Sequence, residues 1–512
     1  MSNNPAADVE RLVAFGIARG MMTPLDAPMA RNLLLDALHL TQPAEEPENP
    51  ADAQDTALPI LSRLLDYAVA QGLIENDTET ERDLFDTKLM GALMPRPSEI
   101  AAKFQALEAS QGIRAACQWF YGLNIDSGYI RSDRVARNIA WNHDTTYGTM
   151  EITINLSKPE KDPREVARLK TLPQVGYPKC QLCPSNVGYR GRLDHPARQT
   201  LRMLPVTLNE ESWFFQYSPY VYYPEHCIVL REEHVPMRIR RETFVRLMDF
   251  LERFPHYFIG SNAGIPIVGG SILNHDHFQG GAWTMPMSKA AVRHSLRTPV
   301  KGLEAGILHW PMSVLRLRHE SADALTEEAT RLLSLWEAYS DESLGILAHT
   351  DSPHNAVTPI ARRRGEAWEL DFVLRNNRTS AEHPMGIFHV HSDLHHIKKE
   401  NIGLIEVMGL FILPGRLDAE FRALADILCG SVPYDRDALE DAAHPLNKHL
   451  RWLDAMLAEG PSSTLDQAMA RIQGECSNKC VRVLQDCAVF QDDEAGHAGF
   501  LRFAQHAGYI PK

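Results

Sequence analysis

The stretch GGSILNHDHFQGG, Gly269 to Gly281, sets His275, His277 and Gln279 on alternate positions between two glycine pairs. On a β-strand successive side chains alternate faces, so these three would point the same way. A histidine beside a phosphoryl group can act as a nucleophile and split one transfer into two easier steps. Neutral imidazole is available for that role near pH 7. The amide of Gln279 could donate to non-bridging oxygens as charge shifts in the transition state. Glycines at 269, 270, 280 and 281 would let backbone approach a bulky anionic ligand, which makes Gly270 a candidate contact. The competing reading is two half-buried histidines on an ordinary strand, and a lone His-x-His favours it. Glutamine at the next alternate position, with glycines on both sides, turns the balance towards a nucleotidyl or phosphoryl site.

A second cluster, YPKCQLCPSN, carries Cys180 and Cys183. Cys-x-x-Cys serves as a redox pair or as half of a zinc site. The redox reading wants the motif at the start of a helix after a strand, whereas Pro178 and Pro184 point to a rigid turn. No second Cys-x-x-Cys exists, so two histidines must complete a metal site. His234, in LREEHVPM, and His275 are the candidates. They give a closed Cys2His2 set, which makes the zinc structural. Such a metal would anchor the strand of His277 through His275: one histidine holds and the other reacts. Cys476, Cys480 and Cys487 fall on one face of an expected helix and read as small buried hydrophobes.

FHVHSDLHHIKKENIG, with Lys398 and Lys399, and the upstream RNNR run from Arg375 to Arg378 supply local positive charge. Read as structure, they are a strand edge and a solvated turn. Read as a site, Lys398 and Arg378 would meet the phosphates of an anionic substrate. His389-Val390-His391 echoes His275-Asp276-His277 on another strand-like segment, which raises the possibility of two related half-domains.

The elements that must position these residues are legible in outline. At 512 residues the chain exceeds one ordinary core. Residues 1–125 carry apolar residues at helical spacing, around an acidic, Pro-rich stretch at 41–56 expected to be a mobile loop. Residues 126–298 and 299–425 mix strand-like runs such as MEITINLS, where Ile152, Ile154 and Leu156 alternate inward, with helices such as RETFVRLMDFLERF. Residues 426–512 return to helix. The class expected is α+β. A net charge of −14 argues against nucleic-acid binding without excluding a small anion held locally. IGLIEVMGLFILP is too short to span a bilayer and carries Glu406 within it. The N-terminus lacks a basic region followed by an apolar run, so a cytoplasmic protein without a membrane partner is expected.

Taken together, PKCQLC, NEESWFFQYSPYVYYPEHCIVL, FPHYFIGSNAGIPIVGGSILNHDHFQGG and FHVHSDLHHIKKENIGLIEVMG resemble the second class of galactose-1-phosphate uridylyltransferases, from about Tyr129 to Pro414. The resemblance implies a histidine-triad-like fold of two related mixed α/β halves with helical N- and C-terminal regions. It implies a ping-pong reaction in which UDP-glucose gives its uridylyl group to a histidine and galactose 1-phosphate then takes it. By motif His277 matches the nucleophile and Gln279 the residue that steadies the phosphoryl oxygens. Cys180, Cys183 and His275 match zinc ligands of the first class, and His234 sits where the fourth would fall. Asn262 and Ser271 match contacts to the uridylyl phosphates, and Glu406 a carboxylate that grips sugar hydroxyls. UDP-hexose and hexose 1-phosphate are the implied partners, within a homodimer. Asp276 departs from the His-Pro-His of the first class. It is expected to face away from the two histidines, and His389 and His391 are left to substrate or structure. Two other activities stay open on the residues: a nucleotide phosphorylase or hydrolase of histidine-triad type, and a non-catalytic nucleotide-sugar-binding protein.

Overall fold

The computed structural model describes residues 4–46, 49–52, 54–157, 175–270 and 272–512. Contacts divide the chain into two units, Met1–Ala136 with Ser157–Val235, and Arg137–Leu156 with Pro236–Lys512. Among the described residues no helix is long and apolar enough to cross a membrane.

In the first unit, polar caps and early prolines start the helices. Asn4 accepts a hydrogen bond from the amide of Ala7 to open Pro5–Ala18, and Thr78 accepts from Glu81 to open Glu79–Gly91. Ala27–Ala37, Leu58–Ala70, Pro97–Gln111 and Ile113–Asp126 are further helices of the region that carries helical apolar spacing. Leu12, Leu34 and Leu64 are fully buried among them, and the buried Asp8 and Glu10 carboxylates are paired with Arg63 and Arg31, each at 2.6 Å. Of the acidic stretch 41–56, residues 47, 48 and 53 lie outside the described residues, and Pro50–Asp52 form a short 3-10 turn. Three strands, Leu204–Leu208, Glu211–Tyr217 and Cys227–Arg231, form an antiparallel meander. It is fastened to the helices where Tyr217 donates to the Cys117 carbonyl at 3.1 Å and Phe120 packs on Phe215 and Tyr217.

The second unit holds two sheets. In the smaller, Ile139–Thr145 pairs antiparallel with Gly148–Asn155, which pairs parallel with Leu410–Pro414. Met150, Ile152 and Ile154 point into the core as their alternation predicts, but the strand ends at Asn155 and Leu156 is only half-buried. The larger sheet runs in the order Val292–Arg297, Glu304–Leu308, Val314–His319, Ala367–Asn376, Asn355–Arg364, Phe258–Gly260, His277–Gly281, each antiparallel to the next. Ala367–Asn376 is buried along its whole length, so both of its faces are covered. Along the chain, one succession occurs twice: a three-stranded antiparallel run, a helix (Arg241–Arg253 or Ala322–Ala338), then an antiparallel strand pair. The α+β class is what the structure has. The strand-like segment of His389-Val390-His391 is not a strand: it forms turns leading to a 3-10 turn at Ser392–Leu394.

The C-terminal helices include Arg416–Leu428, Leu450–Glu459 and Leu465–Asp486, and the first is fastened to the start of the second through one carboxylate. Glu420 accepts from Arg416 at 2.6 Å, Lys448 at 2.5 Å and His449 Nε2 at 2.8 Å, and His449 Nδ1 lies 2.7 Å from His396 Nδ1. Burial works to raise the Glu420 carboxyl, but hydrogen bonds from His449 and Lys448 and the Arg416 charge outweigh it and hold it at about 2. A carboxyl held below its ordinary 4.5 stabilises the fold while ionised; that contribution is complete above pH 4.5 and is lost as pH falls towards 2. The stability gap between the native chain and Glu420→Gln, measured by denaturant unfolding, should therefore be constant near neutrality and close on acidification through this window.

Candidate active site and metal centre

His277 opens the strand His277–Gly281, where Gln279 stands opposite Gly260 and Gly280 opposite Ile259. Gly260 has no room for a side chain: a Cβ would lie 2.8 Å from Leu404 Cδ1 and 2.9 Å from the Pro359 carbonyl. The imidazole of His277 is buried, and its Nδ1 lies 2.8 Å from the carbonyl oxygen of His275. A carbonyl only accepts, so Nδ1 carries the hydrogen and Nε2 the lone pair. Burial, with the His275 ring adding to it, holds the His277 pKa down at about 4 against the opposing effect of that hydrogen bond. The ring is thus neutral at pH 7 with one defined nucleophilic nitrogen. His275, fully buried, stands just before the strand rather than on it, which corrects the expectation that the two histidines share a strand. Asp276 does turn elsewhere, to Arg246 on the helix Arg241–Arg253.

Loop contacts gather the expected substrate contacts. Asn262 Oδ1 accepts the amide of Leu404 at 2.8 Å, and a Cβ on Gly270 would sit 2.6 Å from Asn262 Nδ2. A Cβ on Gly403 would lie 3.4 Å from Asn262 Oδ1 and 3.5 Å from Glu406 Oε2. Asn262, Gly270 and Glu406 are therefore neighbours. Ser271 lies outside the described residues. Lys398 Nζ donates to Glu406 at 2.9 Å and to the Ile412 carbonyl at 3.0 Å. Burial works against its charge, yet the Glu406 carboxylate raises the ammonium above its ordinary value. Lys398 and Glu406 so satisfy each other in a buried pair. Arg378 turns to the Gly345 carbonyl.

Several pairings in this region carry no signal in the sequence. Arg375 is the buried arginine of its run, and both its Nη atoms donate to the Ile402 carbonyl, at 3.3 and 3.2 Å. Asn401 Nδ2 donates to the Gly269 carbonyl at 3.3 Å. Their roles depend on pairings far apart in sequence. The echoed pair does not repeat the first: His389 is fully buried, whereas His391 stacks on His383 at 4.4 Å with its Nδ1 3.5 Å from Asp486.

In the first unit, Cys180 and Cys183 sit in a turn closed by Pro184–Asn186, not at the start of a helix, which removes the geometry a redox pair wants. The two Sγ atoms are 3.5 Å apart and Cys183 Sγ lies 3.1 Å from His234 Nδ1. Asn186 Nδ2 donates to the carbonyls of both cysteines at 2.8 Å and is itself met by His195 at 2.6 Å. That is the kind of outer support which orients metal ligands. Burial and the adjacent Cys183 thiol push Cys180 up to about 11, a penalty that a divalent cation between the thiols would reverse. Two thiols and an imidazole form a borderline-soft donor set able to hold a metal ion and compatible with zinc.

Residues 32–236 match the galactose-1-phosphate uridyl transferase N-terminal domain and residues 250–442 the C-terminal domain. The galactose-1-phosphate uridylyltransferase of Caldanaerobacter subterraneus subsp. tengcongensis is 51% identical over 98% of both chains. That of Bacillus subtilis is 48% identical over 98% of both. The Halalkalibacterium halodurans protein of the same name is 49% identical, covering 97% of this chain and 98% of its own. These relatives set the chain among the nucleotidyltransferases. Within them, it belongs to the galactose-1-phosphate uridylyltransferase family.

The loop packing gives a direct test. In Gly270→Ala the new methyl must displace Asn262, whose Oδ1 is held by Leu404, so a buried hydrogen bond is strained or broken. The expected cost is about 1–3 kcal/mol in denaturant unfolding, with slower turnover. Native stability and turnover would show that Asn262 is free to move.

Proposed function

We propose that the chain transfers a uridylyl group from UDP-glucose to galactose 1-phosphate, through a covalent adduct on His277, releasing glucose 1-phosphate and UDP-galactose. In the first step Nε2 of His277 attacks the α-phosphorus, and the bond from that phosphorus to the bridging oxygen breaks as glucose 1-phosphate departs. In the second a phosphate oxygen of galactose 1-phosphate attacks the same phosphorus and the Nε2–phosphorus bond breaks. The observation that carries this reading is the hydrogen bond from His277 Nδ1 to the His275 carbonyl, which leaves Nε2 unprotonated on a neutral ring. Gln279, on the same strand, would donate to the phosphoryl oxygens as charge develops. Asn262, Gly270 and Ser271 would line the phosphate side. Arg378 and the Lys398–Glu406 pair would serve the sugar phosphate, once ligand draws them from their present partners.

The same reading places a structural zinc on Cys180, Cys183, His234 and His275, where it would hold the residue two before the nucleophile. It includes two histidine-triad-like halves bounded near residues 126, 299 and 426, and a cytoplasmic homodimer acting on UDP-hexose and hexose 1-phosphate. Cysteines that are all free of disulfides and a net charge of −14 support a reducing compartment and no nucleic-acid partner.

The test is intact mass after brief incubation with UDP-glucose and no acceptor. A uridylyl-sized, acid-labile increment is expected in the native chain and absent in His277→Asn. Bound UDP-glucose with no increment would overturn the covalent mechanism. Release of UMP without acceptor would point to a hydrolase instead. For the metal, elemental analysis should find zinc, and its removal by a chelator should lower the melting temperature. A chain free of zinc, or a Tm unmoved by chelation, would remove the metal from the proposal.

A further inference from the structure

Behind the nucleophile lies a pair of charges that the reaction itself does not call for. On the helix Arg241–Arg253 the buried residues are Thr243, Phe244, Arg246, Leu247, Met248, Phe250 and Leu251, and Arg246 is the one charge among them. It is 1% exposed, and its Nη1 lies 3.6 Å from Oδ2 of Asp276, itself 6% exposed. A buried ion pair is a poor stabiliser, because desolvating both charges offsets most of their attraction. What it can do is fix geometry, and Asp276 occupies the position where geometry matters most. The carbonyl that holds His277 Nδ1 at 2.8 Å belongs to the peptide unit joining His275 to Asp276. That unit is planar, so restraining the Cα of Asp276 restrains the direction of the carbonyl.

We infer that Arg246 and Asp276 are positioning residues for the nucleophile: the pair locks the peptide plane whose oxygen sets the tautomer of His277. This rests on the uridylyl-His277 reading. Without the lock the carbonyl can swing away from Nδ1, and the hydrogen is free to move to Nε2. The ring then loses its nucleophilic lone pair on the phosphorus side. Catalytic groups must be held within about 0.5 Å of their productive place, and about 1 Å of misplacement can cost some 100-fold in rate.

The experiment compares the native chain with Asp276→Asn, Arg246→Met, Arg246→Lys and the double variant Asp276→Asn/Arg246→Met. It reads the single-turnover rate of adduct formation from UDP-glucose, the KM for UDP-glucose, zinc content, and the tautomer of His277 by 15N NMR. Asp276→Asn and Arg246→Met should each slow adduct formation by about 10- to 100-fold, with KM and zinc content little changed and the proton shifted towards Nε2. The double variant should be no slower than the slower single one, and Arg246→Lys should recover much of the rate. Wild-type rate and tautomer in Asp276→Asn would overturn the inference, as would losses that multiply in the double variant or that track lost zinc. Should Asp276→Asn fail to fold, Arg246→Met and Arg246→Lys decide by the same readouts. A native chain that forms no adduct would remove the proposed function. The NMR comparison would then still decide whether the pair sets the tautomer.

Discussion

One hydrogen bond governs the chemistry available to this fold: His277 Nδ1 to the carbonyl of His275, two residues back. An imidazole in water exchanges between two tautomers. Here a backbone oxygen admits only one, and burial keeps the ring from taking a second proton. A nucleophile at this position would therefore be prepared by the path of the main chain rather than by a side-chain base. Everything that directs the main chain through residues 275–277 becomes part of the reactivity. On one side, that is the entry to a strand whose neighbour packs too tightly at Gly260 to admit a side chain; on the other, it is a helix-borne arginine.

The loops beside His277 are held largely by hydrogen bonds to backbone amides and carbonyls. Asn262 takes the amide of Leu404, Asn401 gives to the carbonyl of Gly269, and Arg375 gives both Nη atoms to the carbonyl of Ile402. The segment preceding His277 and the segment carrying Lys398 and Glu406 are in this way stitched to each other. The ion pair within the second segment keeps two opposite charges ready in a buried place, each satisfied by the other. Neither is left as an uncompensated charge, whose burial would cost far more than a lost hydrogen bond.

How much of this could be read in the sequence follows the range of each interaction. His275, His277 and Gln279 declare themselves because a two-residue period is local, and Cys180 with Cys183 does so for the same reason. The same rule misled at His389 and His391, where the spacing repeats but the segment forms turns, because spacing alone does not reveal whether a partner strand is present. It also placed His275 on a strand that begins two residues later. Arg375 stood out only as part of a basic run, and nothing in the sequence tied Arg375, Asn401 or Arg246 to the partners they have. Their partners lie 27, 132 and 30 residues away (276 − 246 = 30 for the last), and each acts through backbone or through a neighbour whose own type is unremarkable.

The clasp of Glu420 and His449 on His396 bears on how the gene can be cut. The family's C-terminal domain match stops at residue 442, short of His449. A fragment ended there would keep His277, Gln279 and the four proposed zinc ligands but lose Asp486, which lies 3.5 Å from His391. It would also remove the inner ring of the Glu420–His449–His396 chain and leave His396 without its partner, two positions before Lys398. A domain border drawn from sequence kinship at residue 442 would thus cut through a hydrogen-bonded cluster that joins the terminal helices to the segment carrying Lys398.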